Sequence, residues 1–192
     1  MLKQELRQLF KQKRQTLTTA QVTDGSQAIA RLFFSSFAVE QMKAVHCYLP
    51  LRRQNEVDTF PIILTIQEKY LQTKVIVPRS VPDTTDLEHY QWLPDMTLRL
   101  NAWGILEPDP HTAIGFRPSG IDAVIVPLLA FDRHGHRVGY GKGFYDKFLG
   151  QCRHDTLKIG VSFFEPVPQI TDTDRHDVRL DYCITPTRLY KF

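Results

Sequence analysis

The sequence predicts an α/β fold around a largely parallel sheet, and three observations support this. A strand, a helix and a second strand follow each other over residues 44–79, which is the order of a parallel β-α-β unit. The segment "IDAVIVPLLAFD" is apolar at nearly every position, as a strand buried on both faces should be. A chain of 192 residues with 42% hydrophobic content can bury the core of one such domain, which we expect to span residues 1–192.

The amino-terminal part of the chain is predicted to contain two helices. Apolar residues recur at helical spacing from Leu2 to Phe10, which indicates an amphipathic helix over the first fifteen or so residues. The second helix is expected to start after Asp24 or Ser26, because either side chain can accept hydrogen bonds from unpaired amides of a first turn.

The remaining elements alternate in the manner of an α/β domain. "AVHCYLP" and "TKVIVPR" are predicted strands, and "TFPIILTIQEKY" between them is a predicted helix with Pro61 in its first turn. Residues 80–120 are rich in proline, aspartate and threonine, and their apolar pieces fit edge strands or long loops without a firm assignment. "TLKIGVSF" and "LDYCITP" are expected to complete the sheet.

Composition narrows the classes of partner. A net charge of +3 and an isoelectric point near 8.8 permit anionic ligands but are too modest to indicate nucleic-acid binding. Cys47, Cys152 and Cys183 are far apart and odd in number, so we expect neither a cysteine metal site nor disulfides, and a cytoplasmic location fits best. No apolar run suits a signal peptide or a membrane span. We expect a monomer without membrane association.

Four basic residues line one face of the first predicted helix. Lys3, Arg7, Lys11 and Arg14 follow each other at intervals of four, four and three, so they repel one another with only Glu5 nearby. This stripe is either a solvated basic face or an arm that meets a polyanion, and the helix by itself does not decide between them.

The segment "RVGYGKGFYDKFL", residues 137–149, follows the most apolar strand and opens a predicted helix. Glycine at every second position permits positive φ angles and lets backbone amides converge on an anion. Arg137 and Lys142 add charges that could stabilise a phosphoryl group in transfer. The spacing matches neither the GxxxxGK[ST] nor the GxGxxG pattern. A phosphate-binding loop and a structural turn both remain open.

Three carboxylates could take part in chemistry at this loop. Asp146 lies in the first turn of the predicted helix, where it is either a cap or a magnesium ligand beside a phosphate. Asp181, near the start of the last strand, could be a second ligand or an ordinary surface aspartate. Glu56 follows a strand at its carboxyl end, where open sheets bind ligands, and its alternative is an ion pair with Arg52 or Arg53.

Aromatic residues near these groups could stack on a flat heterocycle or simply pack into the protein. They are Trp103, Tyr140, Phe144 and Tyr145.

Taken together, these segments resemble the 5-formyltetrahydrofolate cyclo-ligase family. The matching stretches are "KQELR" (3–7), "YLPLRRQNEVDT" (48–59), "WGILEP" (103–108), "VPLLAFDRHGHRVGYGKGFYDKFL" (126–149) and "HDVRLDYCITP" (176–186). The resemblance implies a three-layer α/β/α, Rossmann-like fold with a mostly parallel sheet, similar to sugar-phosphate isomerase and CoA-transferase domains. It also implies cyclisation of 5-formyltetrahydrofolate to 5,10-methenyltetrahydrofolate with ATP and Mg²⁺, through phosphorylation of the formyl oxygen and ring closure by N10, with release of ADP and phosphate.

The resemblance further implies roles for individual residues, with Arg137 and Lys142 as the catalytic pair and Lys11 and Arg14 as no more than a solvated continuation of the stripe. The nucleotide site is expected to comprise Lys3, Arg7, Arg137, Val138, Gly139, Tyr140, Gly141, Lys142, Gly143, Phe144 and Tyr145. The folate site is expected to comprise Leu51, Glu56, Tyr140, Gly141, Lys142, Gly143 and Phe144. Asp146 and Asp181 resemble the magnesium positions.

The chain departs from the family pattern within residues 139–143, called the glycine loop from here on. Many members have arginine where this chain has Tyr140 and glycine where it has Lys142, so an essential role for Lys142 cannot be general to the family. Two rival interpretations remain. A sugar-phosphate isomerase would need a base near the loop and no ATP, and a nucleotide-sensing module could lose Glu56. Because Glu56 is kept, the sequence favours the enzyme.

Overall fold

The computed structural model describes residues 1–102 and 104–192. Its helices and strands are, in chain order, α1 (Lys3–Gln15), α2 (Thr19–Ser36), β1 (Ala44–His46), α3 (Phe60–Lys69), β2 (Lys74–Ser80), β3 (Leu87–Gln91), β4 (Leu98–Leu100), β5 (Leu106–Pro108), β6 (Ala123–Pro127), β7 (Ala130–Phe131), β8 (Arg137–Val138), α4 (Phe144–Leu149), β9 (Leu157–Val161), β10 (Tyr182–Ile184) and β11 (Leu189–Lys191).

The centre of the fold is a seven-stranded sheet with the strand order β11-β10-β9-β6-β1-β2-β3. The five inner strands pair in parallel, and only the edge strands β3 and β11 run antiparallel to their neighbours. β6 is buried on both faces, as its unbroken apolar sequence predicts. The predicted α/β fold with a mostly parallel sheet is therefore confirmed.

Apolar side chains cover both faces of this sheet. On one face, α2 and α3 pack Phe33 and Ile63 against Val45 and Ile125 of the inner strands. On the other face, Phe148 of α4 lies in a separate cluster with Val124 and Val126. Because neighbouring residues of β6 point to opposite faces, this one strand serves both clusters. The result is the three-layer arrangement of helix, sheet and helix.

Helix α1 packs beside the sheet rather than on it. Leu6 and Phe10 form a third cluster with Ala130 of β7 and Val138 of β8. β7 and β8 form a two-stranded antiparallel hairpin that leads directly into the glycine loop. The apolar stripe of α1 therefore holds its basic side next to that loop.

The structure corrects the predicted start of α2. The helix begins at Thr19 and not after Asp24 or Ser26, because Thr18 caps it. The Thr18 hydroxyl accepts a hydrogen bond from the Gln21 amide (3.2 Å), and the Gln21 side chain accepts one from the Thr18 amide (2.8 Å). This reciprocal capping box was readable as threonine followed three residues later by glutamine.

The segment that the sequence left unassigned, residues 80–120, extends the sheet and flanks one side of it. β3 pairs with β2, and β4 and β5 form a separate hairpin. Within the described residues, no helix has the length and apolar character that crossing a bilayer requires. The three cysteines are free thiols.

Candidate active site

A cleft of about 410 Å³ opens beyond the carboxyl ends of β1, β2 and β6. Tyr48 and Leu49 follow β1, Pro78 and Ser80 lie at the end of β2, and Pro127 ends β6, and all five line the cleft. From β1 the chain continues to β2 on one side, whereas from β6 it continues to β9 on the other side. Ligands of open parallel sheets bind at such a reversal of strand order, outside the carboxyl ends of the strands.

The glycine loop forms one wall of this cleft. Gly141 (φ 93°) and Gly143 (φ 79°) adopt positive φ angles that L residues rarely take, as predicted, whereas Gly139 does not. No heavy atom lies within 4 Å of where a Cβ would stand at Gly139 or Gly143. The backbone is therefore open to a ligand at these positions, and α4 begins directly afterwards at Phe144.

The basic face of α1 forms the adjoining wall, with Lys3, Arg7 and Lys11 lining the cleft. Arg7 Nε donates a hydrogen bond to the carbonyl of Gly139 (3.0 Å). A Cβ at Gly141 would come within 3.3 Å of the Arg7 guanidinium, so the missing side chain leaves room for this arginine. Lys11 is exposed, and its ammonium lies 5.6 Å from the centre of the Tyr140 ring. Three of the four basic residues of the stripe therefore border the cleft.

Arg137 and Asp146 form a partly buried ion pair next to the glycine loop. Arg137 is 8% exposed, and its Nη2 donates to Asp146 Oδ1 at 2.7 Å. Asp146 Oδ1 also accepts from the amide of Val178 (3.0 Å), while Arg137 Nη1 donates to the carbonyl of Val178. Burial lowers the pKa of Arg137, and the adjacent Asp146 charge works against this shift. Asp146 is thus no helix cap but the partner of the cation predicted to be catalytic.

Lys142 has a different environment. It is exposed at the mouth of the cleft, and within the described residues it forms no hydrogen bond and no ion pair. Its ammonium is therefore available to an incoming anion, whereas Arg137 is already committed to a carboxylate.

The structure does not bring Asp181 to the cleft. Asp181 immediately precedes β10, at the amino-terminal edge of the sheet, where it accepts a hydrogen bond from the backbone amide of Lys158 on β9 and forms an ion pair with the Lys158 ammonium. It lines a separate small cavity on that side. The cleft lies at the carboxyl ends of parallel strands, which is the opposite edge. The predicted pairing of Asp146 with Asp181 is therefore corrected.

Asp177 is a further carboxylate on the cleft wall, and the sequence analysis missed it. Its Oδ2 accepts hydrogen bonds from the Lys3 ammonium and from the amide of Asp174. Burial works against ionisation, but the Asp174 amide and the Lys3 charge outweigh it, so the pKa of Asp177 lies below its usual value. The negative charge of Asp177 also lies close enough to Arg137 to oppose the lowering of the Arg137 pKa by burial.

Glu56 is buried at the far end of the cleft and is held from two sides. Its Oε2 accepts from the amide of Leu51 (2.7 Å), and its Oε1 accepts from the hydroxyl of Tyr140 (2.6 Å). The sequence offered an ion pair with Arg52 or Arg53 as an alternative role for Glu56, and the ion pair found in the structure is with Arg14, whose Nη1 lies 3.9 Å from Glu56 Oε1. Arg14 is 4% exposed, so the prediction that it is solvated is wrong.

Two further predictions concern residues at the edge of the site. Val138 is fully buried against α1 and contributes no side chain to the cleft. Tyr145 and Phe144 do line it, and within the described residues the Tyr145 hydroxyl has no hydrogen-bond partner. Trp103 lies outside the described residues.

The family model described as "5-formyltetrahydrofolate cyclo-ligase family" matches residues 1–186. The chain belongs to the 5-formyltetrahydrofolate cyclo-ligase family. Relatives named 5-formyltetrahydrofolate cyclo-ligase include one from Haemophilus influenzae, 28% identical over 93% of this chain and 94% of that protein. Another from Escherichia coli is 27% identical over 96% of this chain and 100% of that protein. The mouse relative is 27% identical, covering 93% of this chain and 91% of its own length.

Solved structures of this family have the same fold as the chain. A 5,10-methenyltetrahydrofolate synthetase from Aquifex aeolicus superposes with a TM-score of 0.80 at 28% identity, covering 100% of this chain and 93% of that one. One from Mycoplasma pneumoniae superposes with a TM-score of 0.75 at 26% identity, covering 97% and 99%. The resemblance to cyclo-ligases is thereby confirmed, and so is the fold that it implies.

Within this cyclo-ligase fold, Arg14 and Asp177 are the cleft-side charges that sequence reasoning misassigned or missed. Arg14 was recognisable as part of the basic stripe, but helical spacing does not indicate that segments distant in sequence bury the carboxyl-terminal end of α1. Asp177 stands in the same matched stretch as Asp181, and both precede β10. Asp181 is the residue directly before this parallel strand, so its place at the edge of the sheet opposite the cleft could have been predicted from the start of the strand.

Proposed function

We propose that this chain is a 5-formyltetrahydrofolate cyclo-ligase, which converts 5-formyltetrahydrofolate and ATP to 5,10-methenyltetrahydrofolate, ADP and phosphate. The observation that carries the proposal is that one cleft joins the cations of α1, the glycine loop and the buried carboxylate of Glu56. The first two suit a polyphosphate, and the third suits the polar edge of a heterocycle. Family membership supplies the reaction that uses both ligands together.

The chemistry explains why ATP is needed. A formamide oxygen is a weak nucleophile, and as hydroxide it would leave poorly. Transfer of the terminal phosphoryl group to this oxygen releases ADP and makes a good leaving group. The N10 lone pair then attacks the formyl carbon, the carbon–oxygen bond breaks, phosphate departs and the N10 proton is lost. The protein contributes mainly alignment of the reacting atoms and stabilisation of the charge in transfer.

At the phosphate end, Lys3 and Arg7 are proposed to hold the bound nucleotide, because both lie on the wall beside the glycine loop. The open backbone at Gly139 and Gly143 allows amides to approach phosphate oxygens closely. Lys142 is proposed to follow the phosphoryl group in transfer, since its ammonium has no partner among the described residues. Arg137 supplies a positive charge that is fixed in place by Asp146.

The magnesium that the family implies fits Asp146 and Asp177. Mg²⁺ prefers hard oxygen ligands and usually binds one or two carboxylates together with phosphate oxygens. In each of these carboxylates, one oxygen accepts the hydrogen bonds described above, and within the described residues the other accepts none. Bound there, the ion would neutralise phosphate charge. Both carboxylates line the cleft, as Asp181 does not.

At the folate end, Glu56 is proposed to accept hydrogen bonds from the pterin, with Leu51 and Tyr140 beside it. Tyr48, Phe144 and Tyr145 provide apolar surface for the flat ring. We further propose a cytoplasmic monomer that binds no nucleic acid, which the free thiols and the small net charge of +3 support.

A direct assay tests the proposed function. Purified protein mixed with Mg²⁺, ATP and 5-formyltetrahydrofolate should produce the near-ultraviolet absorbance of methenyltetrahydrofolate and an equal amount of ADP. Omitting ATP should abolish both signals, which separates the ligase from an isomerase. A folded sample that binds ATP but gives no product would instead support a nucleotide sensor and refute the proposal.

A further inference from the structure

Arg14 is a buried cation close to the cleft but not lining it. Its side chain is 5% exposed at the last turn of α1, and burying a guanidinium is costly unless its donors and charge are matched. Nη2 donates to the carbonyl of Leu128, and Nη1 donates to the hydroxyl of Tyr140 at 2.9 Å. The Arg14 carbonyl accepts from the side chain of Asn55 (2.8 Å), the neighbour of Glu56. Both the backbone and the side chain of Arg14 are thus tied to the folate end of the cleft.

The Tyr140 hydroxyl connects Arg14 to Glu56 in one direction. A guanidinium only donates, so this hydroxyl accepts from Arg14 and must donate its own proton to Glu56 Oε1. Arg14 lies 3.9 Å from the same oxygen, which is too far for a hydrogen bond but close for two opposite charges. The positive charge of Arg14 therefore lies close to the Glu56 carboxylate, and the carboxylate oxygens still have lone pairs that can accept hydrogen bonds from a ligand.

Arg14 is also the cation within ion-pair distance of Glu56 among the described residues. Burial, and after it the charge of Glu56, raises the pKa of the nearby hydroxyls of Tyr48, Tyr140 and Tyr145, so they remain neutral. Glu56 is 6% exposed, and a buried carboxylate is costly unless it is paired and hydrogen-bonded, which Arg14 and Tyr140 provide together.

We propose that Arg14, acting through Tyr140, holds the Glu56 carboxylate in the orientation in which it accepts hydrogen bonds from the substrate, which makes Arg14 a positioning residue for the folate. The inference rests on the proposed function, because that function assigns Glu56 to the folate. It also gives α1 two tasks, since Lys3 and Arg7 at its start face the nucleotide while Arg14 at its end serves the carboxylate.

The test uses three variants, Arg14→Met, Tyr140→Phe and the double variant that combines these two changes. Each is compared with the control Lys13→Met. Methionine keeps an unbranched, helix-compatible side chain but removes the charge. Lys13 is an exposed neighbour on the same helix that does not line the cleft, so it controls for the loss of one positive charge. For each protein, KM for each substrate and kcat are measured at neutral pH, with circular dichroism to establish folding.

We expect Arg14→Met to raise KM for 5-formyltetrahydrofolate about tenfold, as losing a charge-assisted contact should, and to change KM for ATP by less than about twofold. The Lys13→Met values should match those of the wild type. Arg14→Lys should recover part of the lost folate affinity, because it restores a positive charge beside Glu56. The double variant should be no worse than Arg14→Met, since both changes interrupt one connection.

Folded Arg14→Met with an unchanged folate KM, or with equal rises in both KM values, would overturn the proposal in favour of a purely structural arginine. If Arg14→Met does not fold, Tyr140→Phe decides, because it keeps the charge and removes only the connecting hydroxyl. It should raise folate KM about threefold, and no change would overturn the proposal. Equilibrium binding of 5-formyltetrahydrofolate without ATP gives the same comparison if the wild type shows no turnover, so the two failures are distinguishable.

Discussion

Arg137 and Lys142 are two cations beside the glycine loop in opposite settings. Arg137 is buried and paired with Asp146, so we expect its position to change little when a ligand binds. Lys142 is exposed between two glycines of positive φ, and we expect it to follow a phosphoryl group in transfer. At the scale of the residue, the pairing of each side chain therefore indicates its role better than its charge does.

Replacing Lys142 with alanine should lower turnover more than it weakens ATP binding. A charge that acts mainly on the group in transfer contributes to the transition state and not to the ground state, so kcat should fall about tenfold to a hundredfold while KM for ATP changes about twofold. Steady-state kinetics measure both constants. Lys147→Ala is the matched control, because Lys147 is exposed on α4 and pairs with Asp86 away from the cleft. Equal losses in kcat and in ATP affinity would show that Lys142 only binds the nucleotide.

Asp177→Asn and Asp181→Asn form a pair that tests the magnesium site. The first removes a charged oxygen from the cleft, so the Mg²⁺ concentration for half-maximal rate should rise at least about tenfold. The second removes a partner of Lys158 at the opposite edge of the sheet and should leave that concentration unchanged. Titration of activity with Mg²⁺ at saturating ATP measures both. The reverse result would restore Asp181 as the ligand.

The glycine loop and α1 act together at the scale of the element. Gly141 combines a φ of 93° with a guanidinium 3.3 Å from the place of a Cβ, so the loop conformation and the position of Arg7 depend on each other. Neither fact is visible in the sequence, where the three glycines look equivalent. Spacing predicted that the loop could bind an anion, and the packing of α1 on the β7–β8 hairpin decides which cations reach it.

Gly141→Ala should therefore affect both stability and nucleotide binding. An alanine at this φ costs about 1–2 kcal/mol of unfolding free energy, and its methyl group displaces Arg7. We expect a lower midpoint of chemical denaturation and a higher KM for ATP. Gly115→Ala is the control, because Gly115 has no positive φ and no atom within 4 Å of an added Cβ. Indistinguishable denaturation curves for the two variants would contradict this description of the loop.

At the scale of the whole molecule, a pair of buried histidines makes the fold sensitive to acid. His46 on β1 and His89 on β3 lie with ring centres 5.2 Å apart beside Phe148, and within the described residues none of their ring nitrogens has a hydrogen-bond partner. Burial lowers the pKa of His46 well below 6.5 and that of His89 to about 4, with Glu88 opposing the shift at His89. Both side chains are therefore neutral in the folded protein.

The free energy of unfolding should consequently decrease in acid. A histidine whose folded-state pKa is depressed contributes full stability above its unfolded value of 6.5, and this contribution is lost as pH falls toward about 4. For His89 we expect a loss of about 2–3 kcal/mol over that range. Denaturant unfolding at several pH values measures it. His89→Leu should reduce the acid dependence, whereas His134→Leu, at an exposed position, should not. Parallel curves for His89→Leu and wild type would contradict the prediction.

Much of the fold was predictable because apolar residues mark its elements. α1 has them at helical spacing, and β6 is an unbroken apolar run. The end of the sheet at which the cleft lies was predictable too, since Glu56 follows a strand that ends at that edge. Arg14, Asp177 and Val138 were not predictable, because their environments depend on contacts with segments distant in sequence.

One isotope measurement tests the central claim, that ATP is spent on the formyl oxygen within this cleft. Substrate carrying ¹⁸O in the formyl group is incubated with the protein, ATP and Mg²⁺, and the released phosphate is examined by mass spectrometry while methenyl absorbance is followed. We predict that each methenyltetrahydrofolate formed is matched by one phosphate that contains the ¹⁸O atom. Product formation with unlabelled phosphate would contradict phosphorylation of the formyl oxygen, and labelled substrate left unchanged beside hydrolysed ATP would contradict the cyclo-ligase activity itself.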